Sequence, residues 1–154
     1  MDLIAVPPTP VVPPSLRISL LGRFGVAVDG IDIPAERWSA LRATHLLQLL
    51  SMQPRHRMVR DRVIDALWPD LVPGAGAANL RKAVHNARQA LGRYDGIALQ
   101  GAELVLWPDQ SVEVDAEVFE QRATTALQQR DPAACAAVAT SYAGDLLPGF
   151  KARP

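Results

Sequence analysis

Residues Ala77–Gly92 read Ala-Ala-Asn-Leu-Arg-Lys-Ala-Val-His-Asn-Ala-Arg-Gln-Ala-Leu-Gly, and they carry the side chains of this chain best placed to do chemistry. On a helix, at about 100° per residue, Leu80, Val84, Ala87 and Leu91 fall on one stripe, with Ala83 at its edge. Arg81, His85 and Arg88 occupy a narrow arc on the other side, flanked by Lys82 and Gln89. The stretch contains no acid, so this face lacks the acid–base pairs that ordinarily support a solvated helix surface. Guanidinium, ammonium, imidazole and amide groups donate to phosphates and purine edges, which points to a helix entering a DNA major groove. On the helix alone, a solvated basic face on an ordinary core helix reads equally well.

The surroundings favour the first reading. Net charge is zero over 154 residues, but the charge is segregated. Residues 38–93 hold nine Lys/Arg against three Asp/Glu, whereas residues 94–150 hold two against nine. A basic segment beside an acidic one suggests a nucleic-acid surface with an acidic neighbour, and its field would steer it towards phosphates. The expected DNA-binding set is therefore Arg81, Lys82, His85, Arg88 and Gln89, joined by Arg57 and Arg60 from the segment before. Residues near the start of a reading helix usually meet base edges. Arg81 and His85 are accordingly the base-reading candidates, and Lys82 and Arg88 the phosphate candidates.

Several elements must position that helix. Met1–Ser15 contains five prolines and reads as an extended, disordered lead-in. Residues 16–34 alternate apolar and polar, and Asp29-Gly30 between Val28 and Ile31 is a two-residue hairpin signal; a small antiparallel sheet is expected, closed by Pro34. Ser39 offers an N-cap for a helix to about Gln53 with Ala43, Leu46, Leu47 and Leu50 buried; Arg55, His56 and Arg57 follow in a turn after Pro54. A second helix covers about Asp61–Trp68, with Trp68 as a core plug, and Pro69–Gly76 is a loop. Gly92 stands where a left-handed C-cap is wanted. Ile97–Gln100 and Glu103–Trp107 flank Gly101-Ala102 as a second hairpin.

Beyond Val114 the pattern is helical. Asp115–Arg130 places Val118, Phe119, Ala123, Ala126 and Leu127 on one side. Asp131 caps a last helix that opens with Pro132 and runs to about Ala143, and a turn at Gly144–Gly149 ends the pair. That last helix carries no charge, and a helix apolar all round must be buried. Two short helices cannot enclose each other, so either the pair docks on the winged helix or, as the favoured reading, its outer face awaits further helices or a second copy. The expected architecture is α+β: a winged helix-turn-helix with an N-terminal antiparallel sheet and a C-terminal hairpin wing, then a helical pair.

An enzyme is not indicated. His45, His56 and His85 lie in different elements, no ligand spacing suggests a metal, and there is no Gly-rich phosphate loop or Ser-centred nucleophile elbow. No cofactor is expected. Cys135 is the single cysteine, which fits a reducing compartment and reads as a small buried hydrophobe. No apolar run approaches a membrane span and no secretory leader is apparent, so a cytoplasmic location is expected.

The ordered set of motifs resembles the SARP-type bacterial transcriptional activators, which join an OmpR-like winged-helix DNA-binding domain to a helical bacterial transcriptional activation domain. The matching stretches are Leu20-Leu21-Gly22 with Asp29-Gly30, Leu46-Leu47-Gln48-Leu49-Leu50 and Ala66-Leu67-Trp68-Pro69-Asp70. Ala78–Val84 running into Ala87–Gly92 follows, then Val114-Asp115 with Phe119, and Tyr142–Gly149. The resemblance covers about residues 16–150. It implies a lead-in at 1–15, a DNA-binding domain at 16–111 and a truncated activation domain at 112–154, whose helical pair would belong to an incomplete TPR-like domain. It also implies that the third helix reads the major groove of promoter repeats and that the loop after the second helix touches RNA polymerase. The stop after two helices implies a fragment or a shortened reading frame. Two positions depart from the family: the wing, Tyr94–Trp107, holds Asp95 and Glu103 but no Lys or Arg, and Arg60 stands where Ser or Thr is favoured as a cap. The alternative is a protein-interaction module that keeps the winged helix and has lost DNA binding.

Overall fold

A computed structural model describes residues 15–72, 74–142 and 144. The Pro-rich lead-in before Ser15 and most of the closing turn at 144–149 lie outside them. Strands β1 (Leu16–Ser19) and β2 (Gly25–Val28) pair antiparallel, and β3 (Ile31–Asp32) adds to β2. Asp29 and Gly30 both take positive φ, 53° and 79°, the conformation of a type I′ hairpin turn. A short 3-10 turn, Ala35–Trp38, leads into α1 (Leu41–Ser51). The expected cap at Ser39 does not form. The helix starts at Leu41 behind Ala40 with no side-chain cap, and the Thr44 hydroxyl bonds the carbonyls of Trp38 and Ala40 instead.

Helix α1 is the centre of the core. Ala43, Leu46, Leu47 and Leu50 are buried as expected, and Gln48, Leu49 and Ser51 are buried with them. Around it pack α2 (Arg60–Leu67), α3 (Gly76–Leu91) and two strands of a three-stranded sheet. That sheet is β4 (Arg57–Val59), β5 (Ile97–Gln100) and β6 (Glu103–Leu106), in the order β4-β6-β5. Arg55 and His56 lie in the turn expected for residues 55–57. Arg57 instead begins a strand, because β6 has a free edge and three residues suffice to pair with it. Trp68 is half-buried and packs on the core.

A second correction concerns the sheet at the N-terminus. Strand β7 (Val112–Val114) lies parallel to β1, giving the order β3-β2-β1-β7. The sheet is therefore mixed rather than wholly antiparallel, and Val112–Val114, assigned to the helical part, belong to the sheet. Asp115 opens α4 (Asp115–Gln129), and its carboxylate accepts the backbone N–H of Leu20 at 2.7 Å and of Leu21 at 3.2 Å. One side chain thus satisfies two donors just past the end of β1.

Helix α5 (Pro132–Thr140) is capped by Asp131, which accepts the Ala133 N–H at 3.0 Å, with Pro132 at the first position. The helix packs chiefly on α4, and among the described residues none of its side chains is buried. The apolar stripe of α4 is also narrower than expected: Ala126 is buried, whereas Leu127 is exposed. Among the described residues, the rest of the chain does not cover the outer face of this apolar helix.

Candidate nucleic-acid interface

The basic helix forms between the expected limits. It ends at Gly92, whose φ of 74° lets Gly92 N–H reach the Gln89 carbonyl and Arg93 N–H reach the Arg88 carbonyl, each at 3.2 Å. This is a Schellman C-cap. Leu80, Ala83, Val84, Ala87, Ala90 and Leu91 face the core, while Arg81, Lys82, His85 and Gln89 are exposed. Among the described residues, no ion pair or hydrogen bond holds the side chains of those four. A row of uncommitted donors on a rigid helix can meet an anionic surface without first breaking internal bonds.

The other expected residues are placed differently. Arg60 is half-buried at the start of α2 and lines a cleft with Ile64, Trp68, Gly76 and Ala77, beside the first turn of α3. Its backbone N–H donates to the Ala102 carbonyl at 2.8 Å, which ties α2 to the β5–β6 turn. Arg57 lies on the wing sheet, 3.6 Å from Glu103 and within 3.3 Å of the Gln100 amide oxygen. Arg88 is half-buried. Its Nε and Nη2 donate to the Ile97 carbonyl at 3.0 and 2.7 Å, and its guanidinium stacks 4.4 Å from the centre of the Tyr94 ring. The structure thus gathers Arg81, Lys82, His85 and Gln89 on one surface, sets Arg60 apart from them in a cleft beside Gly76 and Ala77 that also holds Asp61 and Asp65, and commits Arg57 and Arg88 to the wing.

The wing's acids are also committed. Arg93 grips Asp95 with two hydrogen bonds of 3.1 Å, and this hydrogen bonding, helped by the Arg93 charge, holds the Asp95 carboxyl below its usual range. Arg57 stands against Glu103. The acids of the wing are therefore paired, not bare.

One basic residue escaped the sequence reading. Arg42 and Lys82 line an open groove of about 300 Å³ between α1 and α3, together with Asn79 and Asn86 and no acid. A cation in the first turn of a helix is locally unfavourable, and α1 has no acid there to offset it. That was the available signal for Arg42. Its charge is felt nearby: burial first, and the Arg42 charge second, lower the pKa of His45 below the ordinary 6.5. A histidine with a depressed folded-state pKa resists protonation in the native state, whereas the unfolded chain takes the proton near the ordinary value. Stability attributable to His45 is therefore present above pH 6.5 and falls as pH drops below it towards the lowered pKa. His45→Gln should flatten the fall in melting temperature just below pH 6.5; an unchanged acid limb would exclude this contribution.

Three helices around one core, with the third exposed beside a β-hairpin, make this a winged-helix protein of α+β type. No protein-family model matches the chain, and no curated protein matches it. Among solved structures the chain is similar to Mycobacterium tuberculosis EmbR in complex with a low affinity phosphopeptide, with a TM-score of 0.67 and 20% identity over 88% of this chain. It spans 38% of the length of that EmbR chain. At this identity the likeness is one of fold. Among the described residues, no helix is long and apolar enough to cross a membrane, and no group of three or more His, Cys, Asp or Glu is arranged to hold a metal ion.

Proposed function

We propose that the protein is a sequence-specific DNA-binding transcriptional regulator, an activator that binds promoter repeats and recruits RNA polymerase. The observation that carries this reading is the uncommitted row Arg81, Lys82, His85 and Gln89 on the exposed face of α3. The fold likeness to EmbR and the motif resemblance to SARP-type activators support it. Arg81 and His85 read base edges, while Lys82 and Arg42 hold a backbone phosphate in the groove between α1 and α3. The loop after α2, with Leu71 and Val72 exposed, is the surface offered to polymerase. The DNA-binding unit extends through β7 to Val114, and α4 and α5 begin an activation unit whose uncovered face suits self-association. That uncovered face also favours a second reading, a protein-interaction module that does not bind DNA.

Fluorescence anisotropy with duplex DNA over a salt series separates the two. Log affinity should fall with log salt by about 0.9 for each phosphate neutralised. Arg81→Ala should cost roughly 1–3 kcal/mol on the preferred site and relax its sequence preference. A slope near zero would leave the interaction module as the function.

A further inference from the structure

We propose that Arg88 is a positioning residue that clamps the root of the wing to the last turn of α3, so that helix and wing meet the duplex as one body. The proposal rests on the DNA-binding reading above and changes the role expected for Arg88, which from sequence was a phosphate contact.

The geometry is that of a clamp. Two N–H groups of one guanidinium converge on the Ile97 carbonyl, the first residue of β5, at 3.0 and 2.7 Å. The Tyr94 ring lies over the same guanidinium although the residue is 80% exposed, so the cation holds an aromatic ring that the core does not. The planar fork serves both contacts at once, which a lysine ammonium cannot do. Next along the chain, Arg93 holds Asp95 and faces the Trp107 ring at 5.2 Å. Residues 93–97, the joint between α3 and the wing, are therefore braced from both sides. The wing tip is fixed as well, through the Arg60 N–H bond to Ala102.

The wing's own composition explains the need. It contains no Lys or Arg, and its acids are neutralised by Arg93 and Arg57. Its charge cannot draw it onto the phosphates, so its place on the duplex depends on how it is held. A braced wing adds neutral contacts from Gln100 to Ala102 at the position that α3 dictates. An unbraced one must be ordered upon binding, at an entropic cost.

The test uses the full chain with Arg88→Ala and Arg88→Lys. Amide hydrogen exchange without DNA is read at residues 97–106 and, as a check on folding, at residues 46–50 of α1. Duplex affinity is then measured over a salt series. The clamp predicts faster exchange in the hairpin with α1 unchanged, an affinity loss of roughly tenfold in both variants, and a salt slope equal to that of the unaltered protein. Restoration of affinity by Arg88→Lys, with a slope reduced by about 0.9 in Arg88→Ala, would make Arg88 a phosphate contact and overturn the proposal. Unchanged hairpin exchange in both variants would overturn it too. If the unaltered chain shows no salt-dependent duplex binding, the DNA reading fails, and the exchange result still decides whether the clamp exists.

Discussion

A chain ending at Ser111 is expected to lose its cooperative melt, although that point lies beyond the wing and before the helical pair. The cut removes β7, and with it the parallel pairing of Leu16, Arg17 and Ile18. Leu16 and Ile18 are fully buried, and Val114 is 1% exposed. Returning one such side chain to water costs about 1.5–3 kcal/mol. The cut also removes the Asp115 carboxylate, leaving the Leu20 and Leu21 N–H groups without their acceptor; hydrogen bonds to a charged group contribute about 1.5–3 kcal/mol each. Against a typical domain stability of about 5–15 kcal/mol, these losses are decisive. A chain ending at Arg130 keeps β7 and α4 and should melt as one unit. Circular dichroism melts of the two truncated chains compare them directly. Equal midpoints would mean that β7 is only an appendage. Asp115→Ala in the full chain isolates the smaller share due to the carboxylate.

Gly76→Ala carries the second large effect, and its sign is informative. On helix propensity alone, replacing Gly with Ala in a helix stabilises by up to about 1 kcal/mol. Here a Cβ on Gly76 would land on Cγ2 of Ile64, a side chain of α2 already packed against the core. Overpacking of this kind costs about 1–3 kcal/mol, and relief requires α3 to move away from α2. The variant should therefore melt lower, not higher, and bind duplex DNA more weakly because the first turn of α3 is displaced. The double variant Gly76→Ala with Ile64→Ala opens the space, so the two changes should be strongly non-additive. Additive costs, or a raised melting temperature for Gly76→Ala alone, would show that the helices do not need this close approach.

What was legible in the sequence is what local chemistry decides. Asp29-Gly30 permits positive φ at two successive positions, so the hairpin could be read directly. The apolar spacing of Leu80, Val84, Ala87 and Leu91, with Gly92 behind it, defined α3 and therefore which side chains face outwards. Asp131 and Pro132 marked the start of α5 for the same reason, since a cap acts within one turn. The alternation around Gly101 showed the wing hairpin, but not that β4 would join it, because three residues carry no measurable period.

The tertiary structure decided the rest, through contacts between residues far apart in the chain. Val112–Val114 pair with β1 across nearly a hundred residues, a parallel register that no local pattern announces. Whether an arginine on a basic helix is free or committed depends on what stands opposite it. Arg81 and Lys82 meet no partner among the described residues, whereas Arg88, on the same face by periodicity, reaches the Ile97 carbonyl and the Tyr94 ring. Arg42 joins Lys82 only because α1 crosses α3 at that point. Periodicity assigns a side chain to a face of its own helix. Only the packing of other elements against that face determines which charges remain available to a ligand.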